Sequence, residues 1–271
     1  MSKTIRAIIV VTIGMIVGIW GWIDREVSAD TNIQYQDKDT ATINGEIEYA
    51  ATLTDRPEQI INHEGYTVSY NQQWCLPNWV AYELTADETR GTVPRGDGFI
   101  PDPMVVGNTA TTNDYKHSGY DRGHMAPAAD MKWSKTAMDE SFYLSNICPQ
   151  NKNLNKGDWN DLEEQARKWA TKYGSIYIAC GPIVENKYKT IGQNNVAVPK
   201  GFFKVFMRKT QKGWTTIGFY FDNIAGNRKL DSYIRSIDEI ESITSIDFFP
   251  SLPDDIEIEI ESHTNISDWI F

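Results

Sequence analysis

A chain of 271 residues, 41% hydrophobic and 12% aromatic, is long enough to bury a substantial core and too apolar for extended disorder of its body. Its net charge of −11 would oppose polyanionic partners if it were evenly spread. Residues 236–271 hold ten acids and no Lys or Arg, which leaves 27 acids against 26 bases in residues 1–235, so the body is nearly neutral and a local basic groove is not excluded.

At the amino end, Lys3 and Arg6 precede an uncharged apolar run from Ala7 to Ile23, with small residues at Val27–Ala29 beyond it. This pattern predicts an export element over residues 1–29, either a signal peptide cut after Ala29 or a retained membrane anchor. In both cases the basic flank stays inside and the remainder is extracytoplasmic, secreted or anchored. Residues 30–61 are polar and weakly periodic and read as a linker. A folded domain is expected over 62–262, with a tail at 263–271.

Within that domain "GYTVSYNQQWCLPNWVAYEL" alternates apolar and polar residues rich in β-branched and aromatic types, as paired strands do. "RGTVPRGDGFIPDPMVVGN" reads as irregular loop, and "FYLSNICPQ" as a short strand ending at Pro149. In "NKGDWNDLEEQARKWATKYG" the residues Trp159, Leu162, Ala166, Trp169 and Tyr173 recur at three and four and Gly174 closes the run, which predicts a helix. "SIYIACGPIV" and "GWTTIGFYFDN" predict strands, and "KLDSYIRSIDEIESIT" a second helix. "DDIEIEIES" reads as an edge strand or a solvated acidic tail, with metal binding a third reading. Strands and helices intersperse without a βαβ rhythm, so the class expected is α+β. Cys75, Cys148 and Cys180 match no zinc or redox spacing and read as buried small side chains, with one disulfide plus a free thiol as the alternative.

The chemistry concentrates in "SGYDRGHMAPAADM", where Asp121, Arg122 and His124 fall within four residues. Downstream, Asn155, Trp159, Glu163 and Arg167 are spaced by four, which on one continuous helix makes a single slanting stripe drifting roughly 40° per step. Taken alone, that stripe is an ordinary solvated edge with a Glu163–Arg167 pair. Together with His124 it has the parts a hard-metal phosphodiesterase needs. Mg²⁺ takes oxygen ligands and keeps several waters, so one carboxamide with a carboxylate behind it suffices. A neutral imidazole can take a proton from water, and a guanidinium matches phosphate oxygens as charge builds.

The same blocks, "YDRGHMAPAADM" and "FYLSNICPQNKNLNKGDWNDLE", resemble the sugar-nonspecific DNA/RNA endonucleases, the group that includes endonuclease G. The resemblance extends over roughly 62–262 through "YNQQWCLPNWVAYEL", "RGDGFIPDP", "ACGPI", "VPKGFFKV" and "DEIESITSIDFF". It implies a mixed, mainly antiparallel sheet flanked by helices, with a ββα-metal finger. It implies His124 as general base and Asn155 as the direct protein ligand of Mg²⁺, with Mn²⁺ able to substitute. Glu163 would order water at the metal site, and Arg95, with Arg90 as a nearby competitor, would stabilise the transition state. Arg122, Asn146 and Arg167 would contact or order substrate phosphates, with Asp121 supporting the finger. His63, His117 and His263 read as surface residues, His117 near enough to touch substrate.

The function these readings imply is Mg²⁺-dependent, non-specific endonucleolytic hydrolysis of DNA and RNA leaving 5′-phosphate ends. The alternatives are an exported nucleic-acid receptor on an inactive nuclease fold, or a phosphodiesterase for small substrates.

Overall fold

The computed structural model describes residues 47–96 and 98–271; the apolar run 7–23, the export element and the first part of the linker lie outside the described residues. In chain order, β1 (Gln59–Asn62), β2 (Thr67–Asn71) and β3 (Leu76–Thr85) form the first meander. A long loop carrying the one-turn helix α1 (Thr112–Tyr115) leads to β4 (Asp121–His124). Then come α2 (Lys135–Glu140), β5 (Ile147–Gln150), α3 (Lys152–Lys156) and α4 (Asp158–Tyr173). β6 (Ser175–Ile183) precedes the small hairpin β7 (Thr190–Ile191) and β8 (Val196–Ala197), followed by β9 (Gly201–Thr210) and β10 (Gly213–Asp222). β11 (Ile234–Arg235), α5 (Ile237–Thr244) and α6 (Asp254–Glu261) complete the order.

Seven strands make one antiparallel sheet in the order β1-β2-β3-β6-β9-β10-β11, while β4 and β5 pair apart from it. The fold is α+β, as expected. β9 lies between β6 and β10 and buries eight residues in a row. Sequence reading does not single it out as a strand, because both of its faces are covered and its apolar run has no period of two. Phe202, Lys204 and Phe206 face α4, where Trp159 and Trp169 pack on the phenylalanines. Phe203, Val205 and Met207 face the opposite layer beneath α5 and α6.

Residues 47–61 are not a linker. Ile47 and Ala50 are buried in the α5/α6 layer, Ala51 N donates to Asp247 O at 2.8 Å, and Gln59 begins β1. The final residues are likewise part of the fold: Trp269 sits 4.8 Å from the Trp169 ring, and Ile270 O accepts from Trp169 Nε1 and Gln165 Nε2.

"DDIEIEIES" is helical. Its isoleucines alternate as a strand's would, yet Ile256 and Ile260, four apart, pack on the core while Ile258 is 67% exposed. The second predicted helix starts late, at Ser236, whose hydroxyl and Glu239 form a capping box; Ile234 before it pairs with Phe219 instead. All three cysteines are buried and free.

Candidate active site

Two short strands and two helices build the site. In the β4/β5 hairpin, His124 lies opposite Ile147, Gly123 opposite Cys148 and Asp121 opposite Gln150. Gly123 has no side chain because a Cβ there would run into the Gln150 amide. β5 passes directly into α3, whose amino end is capped by Asn151 Oδ1 accepting from Asn153 N at 2.9 Å. Asn155, on α3, donates through Nδ2 to Asp121 Oδ2 at 3.3 Å. A cleft of about 300 Å³ opens here, lined by Asp121, Arg122, Asn155, Lys116, Tyr120 and Phe99 among others.

The predicted helical stripe is broken. Gly157 (φ −110°, ψ −115°) separates α3 from α4, so Asn155 belongs to one helix and Trp159, Glu163 and Arg167 to the next. Trp159 is fully buried and donates from Nε1 to His124 O at 3.3 Å, which fastens α4 to the histidine's own backbone.

His124 is 8% exposed and lies between two rings, with Phe99 at 5.4 Å and Phe142 at 5.1 Å. Among the described residues its buried Nε2 has no hydrogen-bond partner. Burial first, then the charges of Arg95 and Arg122, pull its pKa from 6.5 down to about 3, so the imidazole is neutral. The two guanidiniums stack on those same rings, Arg95 over Phe142 at 5.2 Å and Arg122 over Phe99 at 4.5 Å. Arg90 instead pairs with Asp87 in an exposed turn, which separates the two candidates.

Behind the hairpin lies a second polar group. Glu163 does not take the Arg167 pair expected from spacing; Arg167 gives Nη1 to Asp130 at 2.8 Å, and Tyr82 donates to the other Asp130 oxygen at 2.9 Å. Burial raises the Glu163 pKa to about 7, with Lys204 opposing the shift and Asp130 adding to it. Lys204, itself buried, donates to Met125 O at 3.2 Å and lies over the Trp159 ring.

Two expectations about side chains, those for Asn146 and His63, need correction. Asn146 does not reach the cleft: it is fully buried, with Oδ1 accepting from Ala126 N and Nδ2 donating to Ala126 O and Ser141 O, all at 2.9 Å. Its amide holds the chain two residues beyond His124. Arg167 gives Nη1 to Asp130 and keeps 23% of its side chain exposed. His63 is not a surface residue, since its imidazole is buried against Asp102 at 3.0 Å. Asp102 also accepts from Ser145 Oγ at 2.6 Å and Met104 N at 2.9 Å, clamping the Arg95 loop to the turn that carries Asn146. His117 and His263 are exposed as expected.

Sequence reading passes over Gln150. It is fully buried opposite Asp121, and among the described residues neither end of its amide has a hydrogen-bond partner. A glutamine closing a buried strand beside "DRGH" was the available signal. As for a cation, Asp121 and Asn155 offer the cleft oxygen donors and no thiolate, a set suited to a hard divalent ion.

A ββα finger flanked by guanidiniums, set against a mainly antiparallel sheet, defines a phosphodiester hydrolase of the metal-finger class. The family described as DNA/RNA non-specific endonuclease matches residues 43–255. Mitochondrial endonuclease G of Homo sapiens is 34% identical over 212 residues, covering 72% of this chain and 70% of that protein. Mitochondrial nuclease EXOG of Danio rerio is 35% identical over 207 residues, covering 70% and 60%. The mitochondrial nuclease of Saccharomyces cerevisiae is 33% identical over 216 residues, covering 71% and 66%. Among solved structures, the crystal structure of the EndoG/EndoGI complex superposes with a TM-score of 0.68 at 29% identity, covering 73% of this chain and 89% of that one. This chain belongs to the DNA/RNA non-specific endonuclease family, and it is a nuclease that hydrolyses phosphodiester bonds. The family's ββα-metal nucleases use divalent metal ions.

The secreted or membrane-anchored location expected from the apolar run is corrected by the same comparison. The relatives named above are mitochondrial nucleases. Among the described residues, no helix is long and apolar enough to cross a membrane. An apolar run behind a basic flank does not by its composition distinguish export from other targeting.

Proposed function

We propose that this chain is a Mg²⁺-dependent endonuclease that cuts DNA and RNA internally with little base selectivity, leaving 5′-phosphate and 3′-hydroxyl ends. The observation that carries this reading is His124: a buried, neutral, unpartnered Nε2 between two rings that each bear a guanidinium. An imidazole in that state accepts a proton without first losing one.

His124 Nε2 takes a proton from water as its oxygen bonds to phosphorus, and the bond from phosphorus to the 3′ oxygen breaks. The departing oxygen acquires a proton from solvent. Arg95 and Arg122 neutralise the phosphate oxygens as charge accumulates on them. Bound through Asn155, with Asp121 orienting the carboxamide, Mg²⁺ or Mn²⁺ supplies Lewis-acid polarisation and charge neutralisation. The family resemblance supports Glu163 as the carboxylate that orders water near the cation. Asn146 and Arg167 act at one remove, Asn146 on the backbone after His124 and Arg167 on Asp130. Contacts to phosphate rather than to base edges or the 2′-hydroxyl account for indifference to sugar and base.

The test is incubation of circular single-stranded DNA, closed plasmid and RNA with the full chain, in Mg²⁺ and in EDTA, beside His124→Ala. Mg²⁺-dependent internal cutting of all three, lost in the variant, is expected. Cutting that persists in EDTA, or in His124→Ala, overturns the proposed mechanism.

A further inference from the structure

A second cleft adjoins the catalytic one. It measures about 270 Å³, and its lining includes Lys187, Tyr188, Lys189, Lys200, Asn223 and Tyr120. Tyr120 lines both clefts, so the two meet at the residue before the hairpin that carries His124.

The second cleft is built rather than incidental. Asn223 forms part of its wall with three hydrogen bonds: Oδ1 accepts from Asn151 N at 2.7 Å, and Nδ2 donates to Pro149 O and Pro199 O at 3.0 Å each. Those partners are the end of β5, the cap of α3 and the turn before β9, so one side chain fixes this cleft to the finger itself. Across it, Val198 N donates to Lys189 O at 2.8 Å, holding the lysine-bearing segment against the turn.

Its charge differs from that of the whole molecule. Its lining carries three bases, Lys187, Lys189 and Lys200, against a single acid, Glu185, although the chain carries −11. Glu185 is paired with Lys200 at 2.7 Å. Lys187 and Lys189 are exposed and make no ion pair among the described residues. Between them Tyr188 is 37% exposed. Lysines alternating with an exposed ring are what a single strand of nucleic acid requires, charge for its phosphates and a face for its bases.

We infer that this cleft is a strand-binding extension of the active site, holding the phosphodiester backbone beyond the nucleotide being cut. The inference rests on the nuclease reading above, and it makes long substrates bind better than short ones without altering the chemical step.

Binding of a fluorescent oligothymidylate of about 30 nucleotides, long enough to span several contacts, is measured by anisotropy in EDTA, where no cleavage interferes. Removing two phosphate contacts in Lys187→Gln/Lys189→Gln should lower the slope of log affinity against log salt by roughly 1.4 and weaken low-salt binding about tenfold. Tyr188→Ala should weaken it about fivefold or more through lost stacking. Lys168→Gln/Lys172→Gln makes the same charge change on the exposed side of α4 and should alter affinity by less than about twofold. With Mg²⁺, turnover of a thymidine dinucleotide, whose single phosphate is the one being cut, should be unchanged by the first pair.

An unaltered slope in Lys187→Gln/Lys189→Gln, an equal loss in the α4 control, or an equal loss of dinucleotide turnover overturns the inference. A wild type that binds the oligomer as described and cuts nothing with any divalent metal overturns the nuclease mechanism instead, and leaves the binding surface standing.

Discussion

Asn155 and Asp121 are joined side chain to side chain across 34 positions, Nδ2 to Oδ2 at 3.3 Å. The first residue of the finger hairpin thereby sets the rotation of the carboxamide on the helix after it. With the nitrogen committed to Asp121, the amide's oxygen is the atom available to a cation. Asp121→Ala removes that restraint and a negative charge together. Affinity for Mg²⁺ or Mn²⁺, measured by calorimetry, is expected to fall about 10- to 100-fold, the usual cost of losing a group that orients a ligand. Unchanged metal affinity in this variant would place the cation elsewhere.

The pH dependence of cleavage follows from His124. Its folded pKa, about 3, lies below the ordinary 6.5, so the imidazole is depressed and its neutral form is the native one. Stability from this group is present above the unfolded pKa and is lost as pH falls from 6.5 toward 3. The base itself is already unprotonated throughout that window. With metal saturating, kcat/KM is expected to show no acid limb near 6.5. An apparent pKa of about 6.5 that disappears with His124 would mean that the imidazole is solvated in the working enzyme.

Glu163 behaves in the opposite sense. Its folded pKa is raised from 4.5 to about 7, chiefly by burial, so the native state binds the extra proton. The protonated form is fully stabilising below 4.5, and that contribution is lost as pH rises through about 7. At roughly 1.4 kcal/mol per pKa unit, ionising Glu163 costs about 3 kcal/mol at pH 8. Glu163→Gln should therefore be more stable than wild type at pH 8 and about equal to it near pH 4.5. Urea midpoints at the two pH values would show this. A variant less stable at pH 8 would mean that the ionised carboxylate is compensated, with Lys204, whose charge opposes the shift, the group to do it.

Local chemistry and the family blocks made the finger readable: a glycine-flanked histidine, and an asparagine soon after a Pro-Gln strand end. Four-residue spacing placed Trp159, Glu163 and Arg167 on one helix. It could not show that Gly157 interrupts the run before them, because a glycine near a helix start reads equally as a tolerated interior residue. Long-range pairing was invisible. Arg167 has Glu163 four residues away and prefers Asp130, which is 37 residues distant and already held by Tyr82. β9 hid for the same kind of reason, since a strand covered on both faces has no period to detect. The helical character of "DDIEIEIES" depended on which isoleucines met the core, a tertiary fact.

Asn146 separates a positioning role from direct contact with substrate. Its three side-chain hydrogen bonds go to backbone groups of Ala126 and Ser141, and none is exposed to solvent. Asn146→Ala strands those groups in a buried site, at about 1 kcal/mol or more each, so a loss of roughly 2–4 kcal/mol is expected. In a domain of this size that corresponds to a fall in Tm of roughly 5–15 °C. Measured below the new Tm, the variant should show kcat reduced through displacement of His124, with KM for DNA little changed. A phosphate-contacting asparagine would give the reverse, a raised KM and an unaltered Tm, and that result would return Asn146 to the substrate groove.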